Sequence, residues 1–247
     1  MRGLSVVLAA TLLTLPFAAR AEDFVVIESS APALTVGTQI AGNAPVNLPE
    51  KTRLVLLSAS GRTLVLTGPF QGVAKSEGAG GDSRLLTAVA SLVRSNAQES
   101  GSVGAVRAAD IGWRLETAKD VSDVLAVDAS NGGDVCLEGG RQALIVHNPH
   151  GPAGRTTIQA ADSNAAAAID WTPGAARAPW PSKLPLADGA QYLIEQQGQS
   201  SVAIATLHLL PAAPGASDLQ LLVRLTEAGC TDQGRLLVSM IAKQAAR

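Results

Sequence analysis

Apolar positions along this chain come in short runs, and their period switches between that of strands and that of helices. Residues 24–27, 36–40, 52–58 and 63–68 are apolar or β-branched stretches separated by Gly, Pro and Asn, which predicts short strands. Leu54-Val55-Leu56-Leu57 and Leu64-Val65-Leu66 flank Ser58-Ala59-Ser60-Gly61-Arg62, a loop with the length and glycine content of a hairpin. After Gly78-Ala79-Gly80-Gly81 the period changes. Leu85, Leu86, Val89, Leu92 and Val93 fall at helical spacing on one face, and Asp82 or Ser83 can cap the start. Residues 95–112 read as linker, with Gln98, Glu99, Ser100, Gly101, Ser102 and Gly104 in quick succession. Strand-like runs return at 121–127, 134–137, 143–147, 156–159, 165–171, 191–195 and 201–209, and this spacing predicts a small β-sandwich of immunoglobulin-like type.

The chain closes in helical rhythm. Ser217-Asp218-Leu219-Gln220 fits a capping box, in which Ser217 accepts from the backbone three residues on and Gln220 reaches back. The helix is expected to run to Ala228, and Gly229 suits the left-handed residue that ends it. Thr231 or Asp232 then caps a second helix carrying Leu236, Leu237, Met240 and Ile241. The expected fold is mainly β (α+β). A signal peptide over 1–21 precedes a small β-domain over 22–75, then a Gly-rich loop, helix and linker over 76–112, a β-sandwich over 113–210 and a helical hairpin over 211–247.

The signal reading rests on Arg2, the apolar run from Leu4 to Phe17, and Ala19-Arg20-Ala21, which together predict export and a mature chain beginning at Glu22. That run is shorter than the roughly 20 residues a bilayer span takes, and no later window approaches that length. The expectation is a soluble periplasmic or secreted protein with no transmembrane segment in the mature chain. Removing Arg2 and Arg20 moves the formal charge from −2 to −4. The basic residues that remain are sparse and dispersed, which argues against nucleic-acid binding. Three Phe, one Tyr and three Trp leave the core to Leu, Val, Ile and Ala.

Cys136 and Cys230 are an even pair in a chain bound for an oxidising compartment, so a disulfide is expected, fastening the C-terminal hairpin to a distant strand. Neither has a His or a basic cluster nearby in sequence, as a reactive thiol would need.

The segment Gly37-Thr38-Gln39-Ile40, Val46-Asn47-Leu48-Pro49, Leu54-Val55-Leu56 and Gly61-Arg62-Thr63-Leu64-Val65-Leu66 resembles the FecR-like periplasmic β-domain over about Val25 to Phe70. The resemblance implies an envelope signalling, surface or scaffold role rather than an enzyme. The chain departs from the signalling members in having no membrane span after the leader.

Dedicated chemistry is sparse. The Gly78–Gly81 loop lacks the Lys-Ser or Lys-Thr pair of a phosphate loop and has Ser83 where a dinucleotide fingerprint wants Gly. No nucleophile elbow and no His-Glu-x-x-His motif is present. His147, His150 and His208 are the only histidines, and His147-Asn148-Pro149-His150 would need a turn and acidic ligands from elsewhere to hold a metal. No metal, cofactor or catalytic residue is assigned. Trp171 and Trp180, each beside proline, are one candidate binding surface, and Leu219 and Leu222 on the first C-terminal helix are another. The reading is of a non-enzymatic envelope protein, a scaffold or sensor module that binds another envelope protein through a sheet edge or the helical hairpin. The rivals are a carbohydrate-binding module using Trp171 and Trp180, and an envelope enzyme with an unrecognised site.

Overall fold

A computed structural model describes residues 22–75, 83–99, 112–151 and 154–245. The expected leader, the Gly78–Gly81 loop and the linker from 100 onward to 111 lie outside the described residues. Strands β1 (Phe24–Ser29), β2 (Gln39–Ile40), β4 (Arg53–Ser58) and β5 (Thr63–Thr67) form an antiparallel sheet in the order β2-β1-β4-β5. β3 (Pro45–Leu48) and β6 (Phe70–Val73) pair as a separate antiparallel ribbon.

β1 and β4 are near-continuous apolar runs because both of their faces are buried. Phe24, Val26, Leu54 and Leu56 join Ile40, Val46 and Leu48 in one core. The alternate set, Val25, Ile27, Val55 and Leu57, lies in a second core with the helices. The expected hairpin turn is present, with the Ser58 N–H donating to the Arg62 carbonyl at 2.8 Å. Gly61 sits there at φ +91°, and a Cβ on it would stand 2.4 Å from Cδ1 of Leu219. The glycine therefore serves both the turn and the docking of a helix.

The helical layer on this second face consists of α1 (Ser83–Glu99), α4 (Asp218–Glu227) and α5 (Thr231–Ala245). α1 runs through to Glu99, so the first residues of the expected linker are helical. The capping box forms as its sequence requires. The Gln220 N–H donates to Ser217 Oγ, and the Ser217 N–H donates to Gln220 Oε1 at 2.9 Å. Gly229, at φ +80°, makes the left-handed break before α5.

The sandwich packs a five-stranded sheet, ordered β11-β10-β13-β14-β8, against a three-stranded one, ordered β12-β9-β7. Its strands are β7 (Val127–Asp128), β8 (Gly133–Glu138), β9 (Leu144–Val146), β10 (Arg155–Ala160), β11 (Ala166–Asp170), β12 (Arg177–Pro179), β13 (Gln191–Gln196) and β14 (Val202–Leu210). β14 runs parallel to β8, and β7 runs parallel to β9.

The expected strand over 121–127 is replaced by a helical turn, α3 (Val121–Val124), which follows α2 (residues 112–117). Asp120, extended at φ −150°, accepts from the Ser122 and Asp123 N–H groups, and the Asp123 carboxylate takes the Lys119 N–H at 2.7 Å. These side-chain acceptors fix a helix start and outweigh the strand preference of Val121 and Val124.

Candidate functional site

Three interactions join the C-terminal helices to β8. Cys136 on β8 and Cys230 between α4 and α5 form a disulfide with Cα atoms 5.9 Å apart. Beside it the buried Gln233 of α5 accepts the Cys136 N–H at 2.7 Å, and its Nε2 donates to the Cys136 carbonyl at 3.1 Å. A side-chain amide thus takes the place of a neighbouring strand at Cys136 on the β8 edge. Glu138, buried on the same strand, accepts from Arg224 of α4 at 2.8 Å and from Arg141. Burial pushes the Glu138 carboxyl up, but the two guanidinium groups outweigh it and hold the group below its ordinary pKa. This junction is structural, and among its residues only the cysteines carry a signal in the sequence.

Both proposed binding surfaces are overturned by burial. Trp171 and Trp180 are 7% and 8% exposed and belong to the sandwich core. Trp171 donates from Nε1 to Thr156 Oγ1 at 2.8 Å, and Trp180 donates to the Leu184 carbonyl at 3.1 Å, meeting Tyr192 edge to face. In a core so poor in aromatic residues the two indoles supply the bulk between the sheets, and each buries its one donor only because a partner is in place. Leu219 and Leu222 are likewise buried, packed among α1, α5 and the β1–β4 face. The apolar stripe on α4 faces a core, as most amphipathic stripes do.

The histidines do not converge. His208 bonds Asp134 at 2.9 Å, and His150 lies 3.8 Å from Glu116 at the surface. His147 is buried against Trp171, with ring centroids 4.2 Å apart. Near it the carboxylates of Asp123 and Asp128 are buried and paired. Asp123 bonds Arg177 at 3.0 Å, and Asp128 accepts the Ser130 N–H at 2.8 Å with Arg114 at 3.7 Å. Among the described residues no group of three or more His, Cys, Asp or Glu side chains is placed to hold a metal ion.

Burial lowers the His147 pKa against the raising influence of the Ala175 backbone and the Asp128 charge. The folded chain therefore favours the neutral ring, while an unfolded histidine takes up a proton near pH ~6.5. Stability is expected to fall as pH drops through ~6.5, and this contribution levels off below the lowered native pKa. Glu138 adds a later loss of the same direction. Its contribution is complete above its unfolded value, ~4.3, and disappears as pH falls through its depressed native one. Thermal melts across pH should show the first decline reduced in His147→Gln and the second unchanged; an unaltered first decline would remove His147 as its source.

The outer face of the five-stranded sheet is the remaining candidate. Along β14 the inward positions hold Ala203, Ala205 and Leu207, all buried, and the outward ones hold Val202 and Ile204. Val202 and Ile204 are 46% and 54% exposed, the highest values for large apolar side chains among the described residues. Across the register Ile204 stands opposite Leu193, and Val202 opposite Glu195. Beside this patch lies an open groove of about 950 Å³, lined by Arg155, Thr157, Asp170, Glu195, Gln197 and Val202. Arg155 makes a two-pronged bond to Asp170 at 2.7 and 3.1 Å and holds that carboxyl below its ordinary pKa. Val202 and Ile204 share their face of β14 with Thr206 and His208, but the first half of the strand, Val202-Ala203-Ile204-Ala205, is apolar on both sides and hides which of its residues face out. No protein-family model, no curated protein and no solved structure matches this chain.

Proposed function

We propose that this is an exported, non-enzymatic protein of the cell envelope, acting as a scaffold or sensor module that binds another envelope protein on the outer face of its five-stranded sheet. The observation that carries the reading is the exposure of two β-branched side chains, Val202 and Ile204, on one face of β14 while the smaller Ala203 and Ala205 are buried. Apolar side chains that stand together in water within a polar rim are one mark of a partner surface, and the Val202–Ile204 pair supports the reading on that ground. The FecR-like reading of the N-terminal β-domain and the periplasmic or secreted location belong to this proposal. The glycan-module alternative loses its support, since neither Trp171 nor Trp180 offers a ring face to solvent.

The test is capture from envelope extract by the mature protein and by a Val202→Glu, Ile204→Glu variant. Both substitutions lie at exposed positions, so the melting temperature should hold while affinity for a captured protein falls by about tenfold or more, equivalent to about 1.4 kcal/mol. Equal capture by the two proteins, with equal melting temperatures, would sink this reading.

A further inference from the structure

The other end of the same sheet is an open edge. β11 is its terminal strand and pairs with β10 alone. The Ala160 N–H donates to the Ala165 carbonyl and the Trp171 N–H donates to the Gly154 carbonyl, both at 2.9 Å. These two bonds fix the alternation. The Ala165 carbonyl and the backbone groups of Ala167, Ile169 and Trp171 are directed to β10, and Ala166, Ala168 and Asp170 direct theirs outward. Among the described residues no group hydrogen-bonds to those outward N–H and C=O groups. Most of the other edges are closed or short. Gln233 occupies the Cys136 position of the β8 edge, β12 ends on Pro179, β5 packs beside α5, and β2 and β7 are two residues long. β11 has no Lys, no Pro and no bulge, three of the devices that keep edge strands apart, and the one charge on this five-residue strand, Asp170, is paired with Arg155.

The geometry points to a second copy of this chain as the occupant, paired antiparallel along β11 about a two-fold axis at Ala168. In that register Ala168 faces Ala168 of the second copy and Ala166 faces Asp170, so every outward N–H and C=O on both strands finds a partner. The side chains allow it. Three of the five β11 residues are Ala, and each Asp170 stays bonded to its own Arg155. The two Asp170 residues are four steps apart along the strands, roughly 13 Å, beyond the ~8 Å screening length of physiological salt. The parallel register has no such self-symmetry. Directly paired residues share a side of the sheet, so the ten-stranded sheet carries both Val202 and Ile204 patches on one face. That gives a bivalent surface. The bivalency rests on the proposed function; the dimer does not.

Sedimentation velocity of the mature protein alone tests it. The wild type should show a reversible monomer–dimer equilibrium that shifts with concentration. Ala168→Lys places two like charges opposite each other at the axis and should weaken association by about tenfold or more with an unchanged melting temperature. Ala168→Pro removes the central N–H and should do the same. A wild type that remains monomeric at its highest soluble concentration overturns the proposal, and so does a dimer that persists in folded Ala168→Lys. Neither result bears on capture through Val202 and Ile204.

Discussion

Replacing Cys136 and Cys230 together by alanine is expected to lower the free energy of unfolding by roughly 4 to 5 kcal/mol. The bridge closes a separation of 94 residues, so reducing it releases a long loop in the unfolded chain. Against a typical total of about 5–15 kcal/mol that is about a quarter or more of the stability. Alanine is the right replacement because both residues are fully buried, and a serine hydroxyl would add an unpaired polar group to the loss. The folded arrangement should survive the substitution, since Gln233 still bonds the Cys136 backbone and Arg224 still bonds Glu138. Guanidinium melts of the wild type, the reduced wild type and the double variant check this. The last two should coincide, and a loss under about 1 kcal/mol would mean that the other contacts alone hold the helices to β8.

Leu222→Ala is expected to cost about 3 to 4 kcal/mol and to lower the melting temperature by about 10 °C. The side chain is fully buried where α4 meets α1 and α5. Gly234 lets the two C-terminal helices approach there, and a Cβ on it would lie 3.1 Å from Cδ2 of Leu92 and 3.5 Å from Cδ1 of Leu222. The cavity left by the substitution has little room to collapse between such closely packed helices. The outcome separates two roles. A residue on a binding surface would leave the melting temperature unchanged and weaken capture of a partner, whereas a core residue does the reverse.

The sequence by itself determined several elements through local signals. The hairpin at Ser58–Arg62, the capping box at Ser217–Gln220 and the glycine break at Gly229 rest on local signals, the pairing of Cys136 with Cys230 on an even cysteine count, and all are present. The mainly β character with a closing helical pair was legible for the same reason, because strand and helix periods differ within a few residues. Two local readings failed: residues 95–99, expected as linker, continue α1, and at 121–127 Asp120 and Asp123 supply acceptors that start a helical turn inside a valine-rich run. Tertiary structure alone decided which faces meet. The indoles of Trp171 and Trp180 turn inward because two sheets close over them, and the stripe of α4 meets α1 and the β1–β4 face instead of solvent. On β14 the register, held by pairing with β13 and β8, buries alanines and leaves Val202 and Ile204 outside. Alternation specifies two faces of a strand but not the neighbour each face receives, and that neighbour comes from segments distant along the chain.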